Sequence, residues 1–238
     1  MLVQTGDGVA IGGFIITGTG QKQVLVRAIG PSLTQFGVPN ALPDPVMELH
    51  GPTGSTIITN DNWRDTQAAE IIATGLAPTN DLESAILVTL TPGNYTAIVK
   101  GKNNGTGVGL VEVYDLGPIT SQLGNISTRA FVGPNDQVMI GGFILGGGDH
   151  AHIFIHGAGP FGVTPPLADA TLELHDGSGT LLASNDDCES SIIGPPNPAE
   201  ACIDISLPAG LYTAILAGNN GGTGIGLVEI YDLSPAPN

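Results

Sequence analysis

Short β-branched runs, each bounded by Gly, Pro, Asn or Asp, fill this chain from end to end. Val9–Ile16, Gln23–Ala28, Val46–His50, Thr56–Thr59, Ala85–Thr89, Tyr95–Lys100 and Gly109–Asp115 read as strands. The second half offers the matching set Val138–Leu145, His152–His156, Thr171–His175, Leu181–Ser184, Ile203–Ser206, Tyr212–Ala217 and Gly226–Asp232. Seven or eight strands per half predict an all-β chain of two tandem β-sandwiches with jelly-roll-like or Greek-key connections. Thr91-Pro92-Gly93-Asn94-Tyr95 and the stretch 207–212 read as tight turns, each feeding a strand.

The two halves share wording as well as rhythm. YTAIVKGKNNGTGVGLVEVYDL at 95–116 returns as YTAILAGNNGGTGIGLVEIYDL at 212–233. IGGFI at 11–15 returns at 140–144, MELH at 47–50 as LELH at 172–175, and Asn60-Asp61 as Asn185-Asp186. Self-similarity over nearly the whole length marks a tandem array of one supersecondary unit. The expected division is repeat 1 at 1–117, a linker at 118–122 and repeat 2 at 123–238.

The repeats differ in two places. Repeat 1 carries an insertion, Trp63–Asn80, whose core DTQAAEIIATG reads as a short helix with Asp65 capping its start and Gly75 its end. Repeat 2 has instead a loop between Cys188 and Cys202 containing Pro195-Pro196. These are the chain's two cysteines, and no His/Cys metal spacing accompanies them. A disulfide is expected, two free buried thiols being the alternative. Such a bridge belongs to an oxidising compartment.

The second difference lies at the start of each repeat. Repeat 2 opens with LGNISTRAFV at 123–132, whereas repeat 1 opens near Val3, which aligns with Val132. Repeat 1 therefore lacks a counterpart to the strand-like segment carrying Leu123, Asn125, Ile126, Ser127, Arg129 and Phe131. The tail SPAPN is too short and Pro-rich to replace it. A sandwich missing an edge strand exposes backbone and apolar side chains that template pairing with another chain. A repeat with fewer strands, or a cut-out from a longer array, is the plainer alternative.

Composition narrows the partners. Formal net charge is −16 with only 6 Lys and Arg, so no basic patch is available for nucleic acid or anionic lipid. No apolar run approaches the roughly 20 residues of a membrane span. The opening MLVQTGDG does not read as a signal peptide, so secretion implies a targeting segment removed or outside this sequence.

Candidate chemistry is sparse. Asn60, Asp61, Asn62 and Asp65, and in repeat 2 Asn185, Asp186, Asp187 and Glu189, gather hard oxygen donors of the kind calcium takes, with Asp81, Glu83 or Asp204 as neighbours. The alternative is Asx-turns, in which Asn and Asp bond their own backbone. His150, His152 and His156 alternate along one strand face, but their counterparts are Gln21, Gln23 and Arg27, so a surface or interface face is expected. His50 and His175 occupy equivalent strand ends and suggest a packing or hydrogen-bond role. The Gly-rich stretches 101–109 and 218–226 read as hairpin turns needing positive φ, not as phosphate loops. Ser32 and Ser84 lack His and Asp partners at a recognisable spacing, and no catalytic residues are assigned. Asn94, Asn104 and Asn125 begin N-glycosylation sequons.

Taken together, LGNISTRAFV, IGGFI, RAIGPSLTQFGVPNALPDP, LHGPTGSTIITNDNWRDTQAAEI, ATGLAPTNDLESAI and GVGLVEVYDL resemble a repeat of long secreted proteins of environmental bacteria. ELHDGSGTLLASNDD followed by LPAGLYTAIL is similar to the bacterial pre-peptidase C-terminal domain, a calcium-associated jelly roll. These resemblances imply a non-catalytic β-sandwich, outside the cell or on its surface, that supports adhesion, display or assembly. The expected function is a subunit of a homopolymeric fibre, joined head to tail to copies of itself by strand complementation or docking. The alternative is a calcium-dependent module of a larger secreted protein that binds glycans or surfaces.

Overall fold

The structure, a computed structural model, describes residues 1–117, 121–135, 137–146, 150–160, 162–189 and 197–234. The chain forms two compact units, one from Leu2 to Gly124 and one from Asn125 onward. The linker expected at 118–122 falls partly outside the described residues, as does Pro195-Pro196.

In the first unit, β2 (Ala10–Gly18), β3 (Lys22–Ile29), β4 (Pro45–His50), β5 (Thr56–Asn60), β6 (Ser84–Leu90), β7 (Gly93–Gly101) and β9 (Leu110–Asp115) follow the predicted runs to within a residue or two at each end, while the two-residue strands β1 (Leu2–Val3) and β8 (Gly107–Val108) were not expected. One sheet has the order β2-β7-β4-β5 and the other β6-β3-β9. Alternation turns Phe14, Ile16, Met47, Leu49, Val24 and Val26 inward, where they are buried. β10 (Ser121–Val132) begins in this unit. Its first residues run beside the end of β2, where the Thr17 hydroxyl donates to the Gln122 carbonyl at 3.5 Å.

The second unit contains β11 (Met139–Leu145), β12 (Ala151–Ala158), β13 (Ala170–Asp176), β14 (Leu181–Asn185), β15 (Ala201–Leu207), β16 (Gly210–Gly218) and β17 (Gly224–Asp232). Its sheets are β11-β16-β13-β14 and β15-β12-β17-β10. Ile153, Ile155, Leu172, Leu174, Leu216 and Val228 form the centre of its core.

The duplicated sequence reproduces register as well as order. Phe14 pairs with Tyr95 as Phe143 pairs with Tyr212. The aromatic rings stack at 5.5 and 5.3 Å in the two cases. Each tyrosine hydroxyl donates 2.8 Å back across its turn, to Thr91 and to Pro208. The bulge between Leu49 and His50 recurs between Leu174 and His175. The Gly-rich turns repeat too, with left-handed Asn103 and Asn220 at φ 54° and 51°. A Cβ on Gly101 would lie 2.1 Å from the Gly105 carbonyl oxygen, and one on Gly218 equally close to that of Gly222. That contact leaves no room for a side chain at either position.

The insertion in repeat 1 departs from expectation at its start. A 3₁₀ turn spans Trp63–Asp65, and α1 runs only from Ala68 to Ala73. Asp65 does not cap it. Gln67 holds the N-cap position without a side-chain cap, and its amide instead bonds both backbone groups of Leu87. Burial of Trp63 accounts for the offset. Its ring packs with Leu25, Ile71 and Ala85, and its indole N–H donates to the Asn80 carbonyl at 3.1 Å. The turn that seats the ring closes before the helix begins. Gly75 ends the segment in the left-handed region, as expected. In repeat 2 Cys188 and Cys202 form the disulfide, which closes the equivalent side of the sandwich covalently.

Candidate functional site

The edge of β9 differs most from its repeat counterpart. β17 is flanked by β12 and β10, whereas β9 pairs with β3 and ends its sheet. Residues of β10 lie opposite β17 from Asn125↔Tyr231 to Val132↔Gly224. In repeat 1 only the last two rungs exist, as Leu2↔Val108 and Val3↔Gly107 between β1 and β8. These are the counterparts of Phe131↔Ile225 and Val132↔Gly224. The remaining edge, Leu110–Asp115, has no paired strand on its outer side among the described residues.

Side-chain burial reports the same gap. Val228 and Ile230 are 0% and 5% exposed, while their equivalents Val111 and Val113 are only half-buried. Leu110 is 40% exposed. In the second unit the inward residues Ala130, Thr128 and Val132 are buried, and Ile126 packs against the core. From Asn125 onward the expected assembly segment is thus a built strand of the second unit, with Asn125 buried and Ser127, Arg129 and Phe131 half-buried on it, while half-buried Leu123 belongs to the first unit.

The acidic turns form a second site, distinct in the two repeats. Asn60 is spent on backbone, since its amide donates to the Asn62 carbonyl at 3.1 Å and its oxygen accepts from Ala85 N–H at 2.9 Å. Asn62 donates to Asp65 at 3.2 Å. Asp61 faces the Lys102 ammonium at 2.6 Å, and Asp44 lies 3.7 Å from the same nitrogen. In repeat 2 Asn185 again accepts from backbone, at Cys202 N–H. The place of Lys102 is taken by Asn219, whose amide donates to Asp169 at 3.1 Å and Asp186 at 3.3 Å. One oxygen each of Asp44, Asp61 and Asp169 is buried without a hydrogen-bond partner. Asp186, Asp187 and Glu189 line an open cleft of about 700 Å³ with Thr171, Glu173 and Ser184.

The repeat 1 turn does not fit calcium, because a lysine ammonium already lies against its carboxylates. The repeat 2 turn offers carboxylates with an amide between them. Among the described residues, no three His, Cys, Asp or Glu side chains are spaced to hold a metal ion. Sequence reasoning missed Asp44, Asp169, Lys102 and Asn219. The available signal was the change from GKNNG to GNNGG at matched positions of the two turns.

The histidines separate. His152 is exposed and pairs with Asp204 at 2.5 Å. His156 is 8% exposed, contrary to the expected surface face, and lies between Glu200 at 2.9 Å and Glu229 at 3.3 Å. Burial disfavours its charged form, but the hydrogen bonds and charges of Glu229 and Glu200 outweigh that and raise its pKa. Its counterpart Arg27 donates to Glu112 and to the Tyr114 hydroxyl. The same point in both sandwiches therefore carries a basic side chain, Arg27 or His156, against the Glu of a Glu-x-Tyr pair. Tyr231 is pushed well above the ordinary phenol range by burial and by the charge of Glu229. His50 and His175 do brace their turns, through the carbonyls of Gly54 and Gly179 at 3.1 and 3.2 Å.

Ser32 is buried. Its hydroxyl donates to fully buried Glu83 at 2.5 Å, and the same carboxylate accepts from the N–H groups of Gly30 and Ser32. Among the sequons, Asn94 and Asn104 are exposed. Asn125 is 6% exposed and donates to the Ile230 carbonyl at 3.1 Å, so it is no glycan acceptor in the folded unit.

No protein-family model matches the chain. No curated protein matches it either. Among solved structures, a subviral particle of infectious bursal disease virus VP2 is similar at 10% identity. That match covers all of this chain and 70% of the other, with a TM-score of 0.23. The Gx strain of the same virus matches at 11% identity over 100% and 72%, with a TM-score of 0.16. Likeness at this level carries no functional argument. The chain is an all-β protein of antiparallel sandwich sheets with one disulfide. No helix among the described residues is long and apolar enough to cross a membrane.

Proposed function

We propose that this chain is a non-catalytic structural protein, the subunit of a homopolymeric fibre assembled head to tail outside the cell. The observation that carries the reading is the edge of β9, which among the described residues pairs only with β3, whereas its counterpart β17 is flanked on both sides. Unpaired edges are normally short, charged or covered. Here the edge has half-buried valines behind it. Head-to-tail contacts that do not close into a ring produce filaments. The disulfide suits an oxidising compartment, and the net charge of −16 suits a surface that avoids nucleic acid and anionic lipid.

Negative-stain electron microscopy with and without EDTA tests this directly. Regular filaments are expected. Isolated particles at every concentration, together with a monomeric mass by light scattering, would refute the fibre.

A second reading is supported by one specific observation, the substitution of Asn219 for Lys102 beside paired carboxylates. On that reading the second unit is a calcium-dependent glycan- or surface-binding module of a larger secreted protein. A glycan array showing calcium-dependent binding by monomeric protein would favour it over the fibre.

A further inference from the structure

The outer face of β13 and β14 carries a cleft whose counterpart in the first unit is already filled. There Val46 pairs with Lys100, and the Lys100 ammonium donates to the Glu48 carboxylate on the same face. That hydrogen bond holds the Glu48 carboxyl below its ordinary range. Lys102 lies 2.6 Å from Asp61, and Arg64 lies 2.5 Å from Asp81. In the second unit Thr171 pairs with Ala217, which stands where Lys100 does. The places of Lys102 and Arg64 are taken by Asn219 and Glu189. All three cations are therefore gone, while the carboxylates of Glu48 and Asp61 persist as Glu173 and Asp186. Asn62 has moreover become Asp187.

The loss uncovers the acceptors. The Glu173 side chain is 54% exposed where that of Glu48 is 26%. A histidine lies against each of them, His175 at 2.9 Å and His50 at 3.3 Å, so the histidine does not account for the difference. Glu173, Asp186, Asp187 and Glu189 line the open cleft of about 700 Å³ together with Thr171 and Ser184. Cys202 lines it too, so the disulfide to Cys188 anchors one side.

We propose that this cleft binds primary alkylammonium groups supplied by another molecule, in the place that Lys100 fills in the first unit. The ligand class follows from the first unit, where the equivalent carboxylates hold lysine ammonium groups. A segment with alternate lysines fits the spacing, because Lys100 and Lys102 reach Glu48 and Asp61 from alternate residues of one stretch. A second copy of this chain is a poor source. Of its 6 Lys and Arg, Lys22, Arg27, Arg64, Lys100 and Lys102 already pair with carboxylates of their own chain. Single exposed ion pairs contribute little. Affinity therefore comes from several carboxylates focused in one cleft, and it falls as salt screens them. The inference needs neither the polymer nor the metal of the readings above.

The test uses the full chain in EDTA and a peptide of residues 100–104, KGKNN, capped at both ends. Backbone amide chemical shifts report binding. Saturable shifts at Thr171, Glu173, Ser184 and Asp186 are expected, and the affinity should drop roughly tenfold between low and physiological salt. The same peptide with both lysines acetylated should move nothing. Ala217→Lys/Asn219→Lys restores the cations of the first unit and should abolish binding. Glu173→Gln, an isosteric change at an exposed site, should weaken binding severalfold and stands if the double variant does not fold. A parallel titration with 1,5-diaminopentane separates the sources. Tighter binding of the peptide assigns a lysine-bearing partner, and equal or tighter binding of the diamine assigns a free diamine.

Four results would overturn the proposal. They are absence of shifts at millimolar peptide, equal shifts with the acetylated peptide, unchanged binding by the folded double variant, and shifts confined to the first unit. Movement of the same amides with calcium but with neither amine would assign the cleft to a metal and overturn it as well. Filament formation bears on none of these readouts, so the fibre reading stands or falls separately.

Discussion

The ammonium of Lys102 lies 2.6 Å from a carboxylate oxygen of Asp61, and the equivalent of Lys102 in the second repeat is Asn219. One fold position thus holds a built-in cation in one unit and a neutral amide in the other. The hydrogen bond to Asp61 raises the lysine pKa, with the charges of Asp44 and Asp61 adding to it. Its charge therefore persists at any ordinary pH.

This difference predicts a calcium response confined to the unit from Asn125 onward. Millimolar calcium should raise that unit's melting temperature relative to EDTA. At calcium one-hundredfold above Kd the gain is about 2.7 kcal/mol. Asn219→Lys should abolish the response by supplying the ammonium internally. Calorimetry showing the same melting temperature in calcium and EDTA would remove calcium from the account.

Cys188 is 1% exposed, and its disulfide closes a loop with a sequence separation of 14. Restricting the unfolded chain over a loop of that size stabilises by about 3 kcal/mol. The Cys188→Ala/Cys202→Ala pair should lose roughly that amount in the second unit while leaving the first unchanged. Denaturant melts followed by exchange of core amides in each unit measure both.

His156 makes the second unit pH-sensitive. Its pKa is raised in the folded state by Glu229 and Glu200 against the opposing effect of burial. Its contribution is therefore fully present below the unfolded value of about 6.5 and is lost as pH rises through the higher folded value. Groups facing it are Glu200, Glu229 and, through Glu229, the Tyr231 hydroxyl. Half-buried His175, raised by its hydrogen bond to Glu173, acts in the same direction. Melting temperatures of the second unit between pH 5 and 9 should fall with pH, and the fall should shrink in His156→Arg, which copies Arg27. A flat profile in the parent chain would contradict this.

Trp63 is 1% exposed and anchors the insertion of repeat 1. Trp63→Ala should cost the first unit about 3–5 kcal/mol through the cavity it leaves. It should also free the Asn80 carbonyl and loosen α1. Hydrogen exchange at Ala68–Ala73 should accelerate more than exchange in β2 or β7. Uniform acceleration would mean that the insertion is integral to the main core.

Much of this molecule was legible in one dimension. Alternation in IGGFI and YTAI placed β2, β7, β11 and β16, because a strand's two faces are set by its own period of two. Repetition of those words predicted two like sandwiches. Alignment of the repeats also singled out Leu123–Phe131 as the segment that pairs along β17 in the second unit. The cysteine pair was legible for the same reason.

Only the tertiary structure decided which groups meet. Asp44, Asp61 and Lys102 come from three separate turns, and Glu83 reaches back to Ser32 across the chain. His156 was expected on a surface because alternation gives a face and not what covers it. Glu229 on β17 and Glu200 in the turn before β15 cover it. Local sequence determines strand periodicity and turn geometry through backbone sterics. Charge partners, burial and the open edge depend on strand order, which is set by how two amphipathic sheets bury their apolar faces together.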